Sequence, residues 1–322
     1  MNKSLKLLAG ALAAMLFAGY AAAQSYPERP IRFVVGFPPG GGTDVVTRLL
    51  ANSMTQTMKQ QVIVDNRPGA ASNIAAELVA TSPADGYTIF MGTISTSSNR
   101  TLYKNLKYDA LKDFAPVSQV VGTPFLFAIH PSLPPQNLKQ FIAFAKARPG
   151  QLNYASAGNG SGAHLFSEMF RMMTGVNIVH IPYKGAAPAT TAVLSGEAMF
   201  KLDNIVTTLK LARDGKVRAL AVTTLTRSDA APEIPTMDEA GVPGYDANAW
   251  FGVFAPAGTP PAIIAQLNGE ITKIIKQPAV KKTLLALGSE PVGSTPEEFR
   301  KFYRNEVEKW GKVIREAKIQ ID

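Results

Sequence analysis

The chain has 322 residues, a formal charge of +9, three histidines and no cysteine. The missing thiols exclude disulfides, thiolate metal sites and cysteine nucleophiles. The positive charge is spread thinly: there is no long Lys/Arg run and no interleaving of basic with aromatic residues, which argues against a nucleic-acid partner.

The first segment reads as an export signal. Lys3 and Lys6 precede an apolar stretch at 7–19, and Ala21-Ala22-Ala23 fits the small-x-small cleavage rule. A signal peptide over 1–23, cut before Gln24, is therefore expected. The apolar stretch is short for a span of ~20 residues, and no later segment is longer, so the mature chain is expected to be soluble. The remaining length suits two ordinary domains.

After the leader, strand-like and helix-like segments alternate. Residues 31–37 form a β-rich run, and 43–58 place Val46, Leu49, Leu50 and Met54 at helical spacing. A strand at 61–65, a turn at 66–70 and a helix at 73–81 follow. Asp85-Gly86 turns the chain into a strand at 87–91. Residues 117–129 are extended and leave the first domain. The second set comprises a helix at 138–147, a strand at 153–156, a glycine loop at 158–162 and a helix at 163–174. Then come a strand at 177–182, a helix at 188–195, and strands at 199–202 and 217–223. Residues 250–255 read as a returning strand, and 260–276, 279–287 and 296–317 as helices. Such alternation implies α/β units with parallel strands. Two α/β lobes joined by two crossing segments imply a central cleft, with lobe 1 at 24–122 plus 251–322 and lobe 2 at 123–250.

One glycine loop sits in each lobe, between a predicted strand and a predicted helix: Phe37-Pro-Pro-Gly-Gly-Gly-Thr-Asp44 and Ala157-Gly-Asn-Gly-Ser-Gly-Ala-His164. Ligands in open α/β sheets bind beyond the strand carboxyl ends. Glycine lets backbone approach a ligand, and the first N–H groups of a helix lack internal partners. Both loops are thus candidate sites for a carboxylate or phosphate. Thr43, Ser156, Asn159 and Ser161 add side-chain donors, and His164 is a further candidate for the cleft. Equally, each loop fits a tight turn with a helix cap, with Asp44 favouring the first turn of its helix and Ser161 acting as N-cap.

Enzyme readings fare worse. Gly40-Gly41-Gly42-Thr43-Asp44-Val45 puts Val where a dinucleotide fingerprint needs Gly or Ala. There is no phosphate-binding G-x-x-x-x-G-K-[ST] loop and no G-x-S-x-G nucleophile elbow. His130, His164 and His180 lack a metal-ligand spacing. No enzyme activity, metal or cofactor is expected.

The segments Phe37-Pro-Pro-Gly-Gly-Gly-Thr-Asp44, Asn66-Arg-Pro-Gly-Ala70, Asp85-Gly-Tyr-Thr88, Pro182-Tyr-Lys-Gly-Ala-Ala-Pro188 and Trp250-Phe-Gly-Val-Phe-Ala255, in this order, resemble the solute-binding receptors of tripartite tricarboxylate transporters, the Bug family. The match runs from about Tyr26 to Ile319. The resemblance implies a type II periplasmic binding protein fold, a monomer in the periplasm that closes around one small carboxylate. Family practice implies a site at Pro39, Gly40, Gly41, Gly42 and Thr43, in the stretch 93–96 with Thr93, Ser95 and Thr96, and at Ser156, Ala157, Gly158, Asn159, Gly160 and Ser161, with Asp203 of an Asp-Asn pair as a further member; Phe37, Asp44 and His164, at the ends of the two loops, complete the candidate set. It also implies a large and a small integral-membrane subunit as partners; a two-component sensor kinase is the alternative recipient. One departure is Met199-Phe-Lys-Leu202, where relatives carry an apolar run. Lys201 is expected either to snorkel from a strand edge or to meet a second carboxylate of the ligand.

Overall fold

The computed structural model describes residues 26–320, so the expected signal peptide and its cleavage point lie outside the described residues. The chain begins with β1 (Ile31–Val35), α1 (Gly42–Met58), β2 (Val62–Asn66), α2 (Asn73–Ala80), β3 (Thr88–Gly92) and α3 (Ile94–Leu102). The 16-residue β4 (Phe114–Ile129) leads to α4 (Leu138–Lys146), β5 (Leu152–Ser156), α5 (Gly162–Thr174), β6 (Ile178–Pro182) and α6 (Ala186–Leu194). Then follow β7 (Phe200–Asn204), α7 (Ile205–Arg213), β8 (Arg218–Val222), β9 (Asn248–Pro256), α8 (Pro261–Lys276), α9 (Pro278–Ala286), β10 (Glu290–Pro291) and α10 (Pro296–Glu316).

The strands run in the order β2-β1-β3-β9-β4-β7-β5-β6, with β8 and β10 also paired to β4. β1 is parallel to both neighbours and buried on both faces. Ile31, Phe33 and Val35 share a core with Val46, Leu50 and Met54 of α1, whereas Val34 shares one with Val79 of α2 and Phe299 of α10. Two covered faces explain why the strand reads as a continuous apolar run.

Two antiparallel strands join the halves of this α/β fold. Residues 114–124 of β4 pair with β9, while Phe125–Ile129 pair with β7 and β8. The strand thus serves both half-sheets. β9 enters beside it, because the Ala247 N–H donates to the Thr223 carbonyl at 2.9 Å just before β9 begins. These are the two crossing segments expected from the sequence.

Helix α10 ties the halves from outside. Phe299, Tyr303 and Val307 belong to the core around Phe90 and Phe254, whereas Trp310 and Ile314 belong to the core around Phe166 and Phe170. Between them, Glu306 accepts both the Trp250 and the Trp310 indole N–H, at 3.0 and 3.1 Å. Burial pushes its carboxyl above the usual range, and the two indoles oppose that rise.

Two helices escaped the sequence reading. α3, Ile-Ser-Thr-Ser-Ser-Asn-Arg-Thr-Leu, has few helix formers. Near-complete burial of its first six residues, a Thr93/Thr96 capping box and a bond from the Tyr303 hydroxyl to the Thr96 carbonyl (3.1 Å) hold it. α7 opens with Ile-Val-Thr-Thr, a β-branched run; the Asn204 side chain accepts from the Val206 N–H and starts a helix. Among the described residues no helix is long and apolar enough to cross a membrane.

Replacing Trp310 by Ala removes the bulk that binds α10 to the second core. A loss of about 3–5 kcal/mol is expected from urea unfolding; a loss under about 1 kcal/mol would show that α10 does not bridge the two cores.

Candidate functional site

Five helices begin at one cavity of about 60 Å³, room for about four waters. Its wall includes Gly42 and Thr43 of α1, Ile94 of α3, Gly162 and Ala163 of α5, Ala186 of α6, and Asn204 before α7. Three of these N-termini are capped: Thr93 accepts from Ser95, Ser161 from His164 and Asn204 from Val206. The other two are not. Gly41 and Gly185, the N-cap residues of α1 and α6, supply no capping side chain. A helix N-terminus carries about half a positive charge, and its first N–H groups need an acceptor.

A side-chain amide on the wall is also short of a partner. The Asn204 side-chain oxygen accepts from Val206 and from the Thr123 hydroxyl, but its Nδ2 donates to nothing though buried. Gly42 makes room for it; a Cβ there would lie 2.7 Å from Asn204 Cγ. No lysine or arginine is among the described residues lining the cavity, and Ile94, Phe125, Ala249 and Phe251 make much of its wall apolar. An acceptor placed here would meet main-chain and amide donors in a dry setting, where charge-assisted hydrogen bonds are worth ~1.5–3 kcal/mol each.

Outside it lies a larger cleft of about 620 Å³. Phe37, Pro38, Ala157 and Ser161 border both spaces, and Tyr103, Tyr183 and Lys184 line only the outer one. Together the two spaces fall within the usual range of ligand pockets, ~300–1,000 Å³. The halves are drawn together here: the Ser95 hydroxyl donates to the Gly160 carbonyl across the cleft at 2.9 Å. Gly160, at φ +76°, is suited to this approach, since a Cβ would stand 2.9 Å from that of Ala71.

Of the residues expected at the site, Phe37, Gly41, Gly42, Thr43, Thr93, Ala157, Ser161 and Asp203 line the inner cavity. Gly158 and Asn159 line the outer cleft instead. Pro39 and Gly40 lie at the exposed rim; Pro38 takes the wall position. Asp44 is turned into the protein, where its carboxylate accepts from the Gly40 N–H, Arg48 and Asn66. Ser95 and Thr96 are spent on the cross-cleft bond and the capping box. Gly160 and Ser156 build the loop rather than the wall.

His164 likewise stands behind the loop. Its Nδ1 accepts the Gly160 N–H at 3.1 Å, and its ring stacks on His180 at 4.2 Å. His180 Nε2 in turn meets the Ser156 hydroxyl at 2.6 Å, and that hydroxyl accepts the Gly158 N–H. The loop N–H groups at 158 and 160 are thereby consumed internally. Burial, with help from Arg171, lowers His164 to about 4; burial and then His164 lower His180 to about 3. Both rings are neutral at pH 7.

Pro38, Gly162 and Ala163 fall within the two predicted loops, and Ile94 within the stretch 93–96, without being singled out; the sequence reading missed Phe125, Ala186, Asn204 as a lining residue, Ala249 and Phe251. Ala186 follows a strand and Gly185, the same strand–glycine–helix pattern as the two loops, so a signal existed. Phe125, Ala249 and Phe251 come from the crossing strands, where nothing local marks them. Phe166 and Trp250 are core residues, 0% and 1% exposed.

The chain is similar to known proteins in sequence and in fold. The profile of the tripartite tricarboxylate transporter family receptors matches residues 46–319. Protein BugT of Bordetella pertussis is 39% identical over 98% of this chain and 98% of its own length. Among solved structures, the R. palustris protein Rpa4515 with adipate superposes with a TM-score of 0.89 at 38% identity, over 92% of this chain and 99% of that one. MatC from Rhodopseudomonas palustris, with bound malate, gives 0.85 at 32% identity, over 90% and 100%. The fold is that of the periplasmic binding proteins. The chain belongs to the tripartite tricarboxylate transporter receptor family, whose members are solute-binding receptors.

The histidine pair predicts an acid-labile loop. A folded-state value below the ordinary 6.5 means that the unfolded chain binds more protons, so this stability is complete above pH 6.5 and is lost as pH falls from 6.5 towards 4. His164→Asn keeps an acceptor near the Gly160 N–H but cannot titrate. Its thermal midpoint should fall less than the wild type's between pH 7 and pH 5; an equal fall would clear His164 of the effect.

Proposed function

We propose that this protein is a periplasmic receptor for a small organic carboxylate. The lobe formed by 24–122 with 251–322 closes on the lobe formed by 123–250, and the liganded monomer delivers its cargo to the large and small membrane subunits of a tripartite tricarboxylate-type transporter. No cofactor takes part. The observation that carries this reading is the pair of uncapped helix N-termini, α1 and α6, meeting at a cavity beside the unpartnered Asn204 amide. α1 follows β1 and α6 follows β6, in opposite half-sheets, so one carboxylate can complete both N-termini only when the halves are together. Binding and closure are then one event. Adipate and malate, named with the relatives above, support a carboxylate and are the first probes to use.

Direct donors here are few: Gly42, Thr43 and Ala186 N–H, Asn204 Nδ2 and the Thr43 hydroxyl, the Ser161 hydroxyl being spent on the Gly158 carbonyl at 2.7 Å. Three or four charge-assisted bonds at ~1.5–3 kcal/mol, set against the cost of association, fit an affinity near micromolar, ~8 kcal/mol.

Gly41 is the position at which to test it. Its backbone, at φ −83° and ψ 165°, accepts valine without strain, and a Cβ there would stand 3.6 Å from that of Ala186, between the two helix ends. Gly41→Val should weaken adipate or malate binding about a hundredfold or more by calorimetry, with an unchanged circular dichroism spectrum. Full affinity in this variant would place the ligand elsewhere.

A further inference from the structure

Lys201 is among the most deeply buried charged side chains of the described residues. It is 1% exposed and is the second residue of β7. Its Nζ donates to Asp203 Oδ2 at 2.7 Å and to the Thr190 hydroxyl of α6 at 2.5 Å. This overturns both expectations from the sequence: the ammonium neither snorkels to an edge nor reaches the cavity. Asp203 does reach it. It lies on the cavity wall, 6% exposed, with Oδ1 taking the Asn204 N–H and Oδ2 held by Lys201.

A carboxylate on the wall of an anion site is a liability. At a separation of several ångströms in a poorly screened interior, like charges repel by an amount that cancels a good hydrogen bond. A bare carboxylate in such a place is also the natural partner for an ammonium group on a ligand. The lysine behind Asp203 removes both effects, since the pair is neutral and its positive member points away from the cavity. Keeping a lysine this deeply buried is costly unless it is paired, and an apolar residue at 201 would pack without that cost. The pairing therefore has a consequence for the cavity that stability alone does not require.

We propose that Lys201 sets the ligand class by acting through Asp203: it neutralises the wall, so that the site takes carboxylic acids lacking an amino group and rejects the corresponding amino acids. The inference rests on the receptor reading above and extends it to the charge pattern of the cargo. Lys201 is a positioning and charge-balancing residue and does not itself touch the ligand.

The test compares matched probes, adipate with 2-aminoadipate and malate with aspartate, by calorimetry on the mature chain after unfolding and refolding to remove carried-over ligand. Wild type should prefer each plain acid. Lys201→Met should weaken the plain acids roughly tenfold to a hundredfold and shift the ratio towards the amino acids. Adding Asp203→Asn, which removes the uncompensated charge, should return plain-acid affinity to within several-fold of wild type; loss of packing alone would not be rescued in this way. The double variant also provides the reading if Lys201→Met fails to fold. Unchanged ratios in Lys201→Met, or a double variant that stays weak or does not fold, overturns the proposal. Wild type that binds the amino acids as well as the plain acids overturns it too, and leaves the receptor reading intact. Wild type that binds none of the four probes removes the receptor reading for this cargo class and the inference with it.

Discussion

Hydrogen-bond donors that have no acceptor inside the protein are what the rest of this structure is arranged around. α1 and α6 both begin at glycine N-caps that provide no capping side chain, and both begin at the same small cavity. The neighbouring N-termini are closed by Thr93, Ser161 and Asn204, so the unmet demand is local. With no lysine or arginine among the described residues lining the cavity, the proposed anion site draws on main-chain N–H groups, the Asn204 amide and the Thr43 hydroxyl. Such donors are rigid and need little reorganisation when a ligand arrives. Main-chain N–H groups also do not distinguish one carboxylate from another, which leaves the choice of cargo to the surrounding wall.

The proposed closure rests on where those helices are mounted. α1 follows β1 in one half-sheet and α6 follows β6 in the other, and the halves are joined by β4 and β9. β4 changes partners at Phe125, from β9 to β7 and β8. α10 spans the same junction, with its two halves in different cores and Glu306 linking the indoles of Trp250 and Trp310. In the proposed closure, two strands and a helix would serve as the hinge between the halves. The cross-cleft bond from Ser95 to Gly160 and the histidine-supported loop at 156–160 put donors and acceptors where the halves meet.

The alternation of strands and helices, the two crossing segments and both glycine loops were legible in the sequence, because glycine, proline and apolar runs act locally. α3 was not: its Ser/Thr-rich sequence has little helical preference, and burial against α10 decides its conformation. Nor was α7, whose β-branched start is overruled by the cap at Asn204. At the site, Thr43 and Ser161 line the cavity wall, while Asp44 and His164 are drawn into supporting the loops by partners distant in sequence, Asn66 for one and the His180 ring for the other. The state of Lys201 depends on Asp203, two residues on and so on the same face of β7, and on Thr190 from a different helix, which no local pattern marks.

The most direct measurement is on the amides themselves. In 15N-labelled mature protein, refolded free of ligand, the backbone resonances of Gly42, Thr43 and Ala186 and the Asn204 side-chain amide are followed during titration with adipate and with malate. Saturable shifts at these four positions, at matching concentrations and with at least one of the acids, are expected if a carboxylate completes the two helix ends. Saturable binding that leaves these amides unmoved would contradict a site built on the N-termini of α1 and α6, and the absence of any binding would contradict a receptor for these acids.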